Sequence, residues 1–206
     1  MQEREREILF SIRDAAAAGR AVVTARIDDV EGLQRTAARF YYVPDADLAA
    51  LPTDSIQEYL FGLMRPGTEG FARGELAGIV TSGQVTLVRD NEVRAALDDW
   101  LLRVSELEER AQALVSAGLS VMAVLTQHES IQERVFSRAW LGKDPGVPVT
   151  PRRSWDARAI RADPALKSAA AVMTFEREVY LDNLEQLAQA LDEIRELVAA
   201  SQDDPT

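Results

Sequence analysis

The chain has 206 residues, 47% of them hydrophobic and 28% charged, with 34 acidic side chains against 23 basic ones and no cysteine. A formal charge of −11 argues against nucleic acid as a partner, because phosphate contacts need a basic face. Without cysteine there is no disulfide, thiolate metal site or cysteine nucleophile, and no run of about 18 apolar residues exists to span a bilayer.

From Gln2 to Tyr42, Leu9, Ile12, Ala16, Gly19, Val23, Val30, Leu33, Ala37 and Phe40 recur at helical steps, which predicts one long amphipathic helix. Pro44 stops it, having no N–H to donate and disfavouring helical backbone at Val43. Met1 to Glu7 is a charged run unlike a signal peptide. It opens in mid-helix, as the trimmed end of a longer chain would.

Between Pro44 and Asp90, prolines and glycines cut the sequence into short pieces. Thr53 or Asp54 can cap a helix through Met64, and Thr68 or Glu69 can open another reaching Thr81. Gln84 to Val88 reads as a turn or 3₁₀ segment, since a lone short strand has no partner.

Asn91 to Leu141 is the stretch that organises the chain. With Val93 at heptad position a, Trp100, Leu107, Leu114, Val121 and His128 follow at a, while Leu97, Val104, Ala111, Gly118, Leu125 and Gln132 fall at d. Such a helix is roughly 75 Å long. Gly142 ends it, and a connector from Lys143 to Ala162 holds Pro145, Pro148 and Pro151, which favour extended backbone. Asp163 as cap and Pro164 in the first turn begin the last helix. Its a series is Leu166, Met173, Tyr180, Leu187 and Ile194, and its d series is Ala170, Arg177, Leu184, Leu191 and Val198.

The expected fold is all-α: a single, elongated antiparallel bundle of three long helices (2–42, 91–141 and 163–200) running up, down and up. The short-helix insert (44–90) caps one end and the proline-rich connector (143–162) lies at the other. Levelling the helix ends puts Glu5, His128, Gln132 and Arg177 in one polar layer. Such a layer either pins register or responds to pH or a ligand through the only histidine. A metal site on His128, Glu129 and Glu133 is disfavoured, because Glu129 points about 100° away and no HExxH pair exists. No cofactor is expected. Ser82 lacks a GxSxG elbow, the glycines form neither GxGxxG nor a Walker loop, and Asp98–Asp99 and Glu108–Glu109 read as solvated charge, so no enzyme is expected.

Arg152, Arg153, Arg158 and Arg161, with Trp140 and Trp155, make the connector locally basic. They pair with helix-end carboxylates or form a rim facing headgroups or a partner.

The opening EREREILFSIRDAAA resembles the juxtamembrane helix of a widespread bacterial family of small single-pass membrane proteins of uncharacterised function. Gly74 to Leu107 is similar to that family's central pattern, through Ser82, Gly83, Leu87, Arg89, Asp90, Arg94 and Leu97. The resemblance implies the soluble part of a membrane-anchored protein, with a cytoplasmic bundle as the alternative. The expected function is accordingly a non-enzymatic interaction or sensor-like domain working through a protein partner. The runner-up is a homo-oligomeric scaffold. Third comes a small-molecule binder with a pocket under the insert, lined by Tyr59, Phe61, Phe71 and Trp100.

Overall fold

The periodic stretches fold as helices. The computed structural model describes residues 2–68, 74–128 and 156–203, and among them it is all-helical, with seven α-helices and no strand. In chain order these are α1 (Gln2–Tyr42), α2 (Asp45–Ala50), α3 (Thr53–Met64), α4 (Gly74–Thr81), a 3₁₀ turn (Gln84–Leu87), α5 (Asn91–Leu125), α6 (Ala157–Ala162) and α7 (Pro164–Asp203).

The helix starts follow the expected chemistry. Asp90 Oδ1 accepts from the N–H groups of Glu92 and Val93 at the head of α5. Asp163 Oδ1 does the same for Ala165 and Leu166 ahead of α7, satisfying donors that a helix start leaves open. All ten seam positions of α7, from Leu166 to Val198, are buried, as are Val93, Leu97, Trp100, Val104, Leu107, Leu114, Val121 and Leu125 on α5.

The organising helix is shorter than expected. α5 ends at Leu125, where the bonds from Gln127 N–H to Val124 O and from His128 N–H to Leu125 O tighten the last turn. No glycine or proline marks this point, and residues 129–141 lie outside the described residues. The connector also holds more helix than its prolines imply: Asp156 caps α6 by accepting from Ala159 N–H.

The chain divides into two compact units. Unit 1 comprises Met1–Asp29, Thr68–Ala111 and Val179–Thr206; unit 2 comprises Val30–Gly67 and Gln112–Glu178. The insert is therefore divided between the two units. α2 and α3 belong to unit 2, whereas α4 and the 3₁₀ turn belong to unit 1. Each short helix has its own apolar face to bury, Ile56, Leu60 and Leu63 on α3 and Leu76, Ala77 and Ile79 on α4.

The alternating directions also need correction. In unit 1, Glu5 near the start of α1 accepts a 2.7 Å hydrogen bond from the backbone N–H of Arg89, just before α5. Further along both helices, Gly19 and Trp100 line one cavity, so α1 and α5 advance in the same direction. A long insert can return the chain before the next helix begins, which frees consecutive long helices from alternating. In unit 2, α5 and α7 are antiparallel: Gly118 lies against Met173, and His128 pairs with Asp163.

A candidate ligand cavity and the polar seam positions

Unit 1 holds a partly open cavity of about 120 Å³. α1 contributes the buried Ala15 and half-buried Gly19, with Ala18 and Val22 exposed at the edge. Gly74 and Glu75 open α4 on a second side, Trp100 of α5 closes a third, and Leu187 and Leu191 of α7 complete the wall. Gly74 sits at φ 69°, a left-handed conformation that glycine adopts without steric cost, so the turn into α4 depends on it. Two polar contacts tie the walls together: Arg20 Nε donates to Asp192 Oδ2 at 2.9 Å, and Arg103 Nη1 donates to Gln186 Oε1 at 3.1 Å.

Trp100 is 4% exposed, and its indole Nε1 is buried with no acceptor. The ring thus lines the cavity, and its N–H is a buried donor left open to an acceptor. Glu75 is exposed and has no ion pair or hydrogen bond among the described residues. The lining is otherwise aliphatic.

Of the four aromatics expected to line a pocket under the insert, Trp100 does so. Tyr59 and Phe61 are on α3 in unit 2, and Phe71 lies outside the described residues. The sequence signal for this cavity was the run of small residues on α1, which periodicity alone reads as ordinary seam.

The expected layer of Glu5, His128, Gln132 and Arg177 is replaced by separate partnerships. Glu5 is held by Arg89, through its backbone N–H and an ion pair at 3.5 Å. His128 Nε2 lies 2.9 Å from Asp163 Oδ2, and with the carboxylate ionised the imidazole donates. That bond, aided by the Ala165 and Leu166 N–H groups, holds the Asp163 carboxyl below its ordinary range. Burial, with the Asp163 charge, pushes the nearby Tyr41 phenol up to about 12. Gln132 lies outside the described residues, as do Glu129 and Glu133.

Arg177 is 1% exposed, and burial lowers its guanidinium to about 10, so it remains charged at neutral pH. Its Nη2 donates to the carbonyls of Gly62 and Arg65. These oxygens are at the C-terminal end of α3, where unsatisfied carbonyls carry negative partial charge. The seam arginine therefore caps another helix. Two glycines permit the approach: a Cβ on Gly118 would stand 2.6 Å from Met64 O, and one on Gly62 would stand 2.9 Å from Thr36 Cγ2 and 3.2 Å from the Ala37 nitrogen.

Within the basic rim, Arg158 donates to the Asp45 carbonyl at 3.0 and 2.9 Å. Arg161 donates to the carbonyls of Phe40 (3.3 Å) and Val43 and to the Asp45 carboxylate. These two side chains tie α6 to the end of α1 and the start of α2. Trp140, Arg152, Arg153 and Trp155 lie outside the described residues. Among the described residues no group of three metal-ligating side chains converges.

Among the described residues these arrangements define an all-helical protein with an apolar cavity in unit 1. No family model, no curated protein and no solved structure matches the chain.

Proposed function

We propose that the chain is a sensor-like, non-enzymatic helical domain whose responsive element is the cavity of unit 1, occupied by a small apolar molecule. The supporting observation is an apolar cleft open to solvent, with Ala15, Val23, Leu76, Trp100, Leu187 and Leu191 buried along it and Ala18, Val22, Gly74 and Glu75 exposed. An enclosed apolar cavity of about 150 Å³ takes benzene. At about 120 Å³ this one accommodates a slightly smaller group. A bound molecule would touch α1, α4, α5 and α7 together. The wall most readily biased is α4, only 8 residues long, and a ligand shifts an equilibrium only through such differential contact. Titration with cyclopentane, followed by the NMR signals of Trp100 and Leu76, tests this. A saturable shift at both is expected, and an Ala18→Leu variant, whose longer side chain narrows the exposed mouth, should weaken it. Signals that stay put in the parent protein would remove the reading.

A second reading, an interaction domain docking a protein partner or another copy, is supported by Leu119, Val172 and Phe175 of unit 2. Each is at least 50% exposed, and large apolar residues in water serve docking when they are contiguous. The membrane-anchored form of either reading rests on the resemblance of the opening helix; none of the described helices is long and apolar enough to cross a membrane. Light scattering that finds a monomer at all concentrations would remove self-association.

A further inference from the structure

Resting on the cavity as a ligand site, the donors in its wall give the chemical class of the occupant. We propose that the cavity takes a small neutral molecule with an apolar body and one acceptor oxygen, a ketone or an ether, whose oxygen receives the Trp100 indole N–H.

Three observations carry this. Trp100 lines the cavity at 4% exposure, and its Nε1 is buried with no partner among the described residues. An indole nitrogen donates and does not accept, and a buried donor left unmade destabilises the fold that holds it, so an oxygen that meets it removes that penalty. The first turn of α4 adds Gly74, Glu75 and Leu76 to the same lining. The N–H groups of a helix's first turn have no partner within the helix and carry positive partial charge, so this wall also favours an acceptor. Glu75 sets a carboxylate there, in a chain of net charge −11, and like charge repels an anionic oxygen. The acceptor is therefore neutral.

Water does not reach Nε1, so the oxygen meets it only where a wall gives. α4, only 8 residues long, is the wall most readily moved. A hydrogen bond made only in the shifted arrangement biases the equilibrium toward it, which a plain hydrocarbon cannot do. The aliphatic lining holds the body of the ligand, and the oxygen adds about tenfold.

The experiment is a set of NMR titrations of the full chain with cyclopentanone, cyclopentane and cyclopentanecarboxylate, repeated on Trp100→Phe. The ketone should draw the Trp100 Nε1–H resonance downfield to saturation, while cyclopentane should move the carbon-bound ring protons only. The carboxylate should bind more weakly than the ketone. Trp100→Phe should cost the ketone about tenfold more than it costs cyclopentane. An Nε1–H resonance that the ketone leaves in place, equal losses for ketone and cyclopentane on Trp100→Phe, or a carboxylate as tight as the ketone overturns the ligand class and leaves the cavity reading standing. Should that variant not fold, the Nε1–H resonance of the parent protein decides. Failure of both cyclopentane and cyclopentanone to bind the parent protein overturns both.

Discussion

Two glycines on long helices show how differently the two units are filled. In unit 2, a Cβ on Gly118 would stand 2.6 Å from the Met64 carbonyl, inside any tolerable contact. In unit 1, a Cβ on Gly19 would meet the Leu191 methyls at an ordinary 3.5 Å, and the cavity lies beside it. Unit 2 brings the end of α3 down to backbone distance and fastens it with a buried charge. Unit 1 lays α4 over small side chains and leaves a space. The lesson is that an apolar seam of one character can be closed tightly or loosely. Which occurs depends on the short helix that covers it.

The comparison can be broken by substitution. Gly118→Ala should destabilise by about 2 kcal/mol, since α3 must shift to admit the methyl group. A gain in Tm would show that the approach at Met64 is not tight. Arg177→Leu removes the cap from the Gly62 and Arg65 carbonyls while relieving a desolvated guanidinium. Leaving buried acceptors unmade dominates, and chemical denaturation should record a loss of about 1–2 kcal/mol. An increase in stability would mean that α3 holds without the charge. Gly19→Ala should act with the opposite sign to Gly118→Ala. It gains helix propensity without a clash, raising stability by about 0.5–1 kcal/mol, and a loss would show that unit 1 is as full as unit 2.

The smallest effect concerns the His128–Asp163 pair. The folded-state carboxyl of Asp163 is held below its ordinary value, about 3.9 when unfolded. Its contribution is therefore fully present above that value and is lost as pH falls through the folded one. Asp163→Asn keeps a competent helix cap, so its melting temperature should fall less steeply than the parent's between about pH 5 and 2. Parallel curves would deny the carboxylate this role.

Much of the helix content was legible because burial repeats with the helical period. The seam of α7 could be written down residue by residue, and Asp163 with Pro164, like Asp90 before α5, announced helix starts. Periodicity says which face is buried and nothing about which helix covers it. Levelling helix ends through the connectors therefore misses the common direction of α1 and α5 and the separate partners of Glu5, His128 and Arg177. Arg177 was recognisable as an exception on its seam, but its partners are main-chain carbonyls, which no side-chain pattern encodes. Gly118 read as an ordinary d position for the same reason: its demand comes from the Met64 backbone. Of the cavity, Trp100 was legible as a large aromatic under the insert. The space opposite it follows from where Ala15, Ala18 and Gly19 happen to face, which needs coordinates.

The difference between the units is measured most directly by xenon. In crystals under xenon pressure, the gas should occupy the space between Trp100, Gly19 and Leu187 and should find none beside Gly118, because xenon enters apolar voids and is excluded from close packing. Xenon next to Gly118, or an empty space against Trp100, would contradict the account.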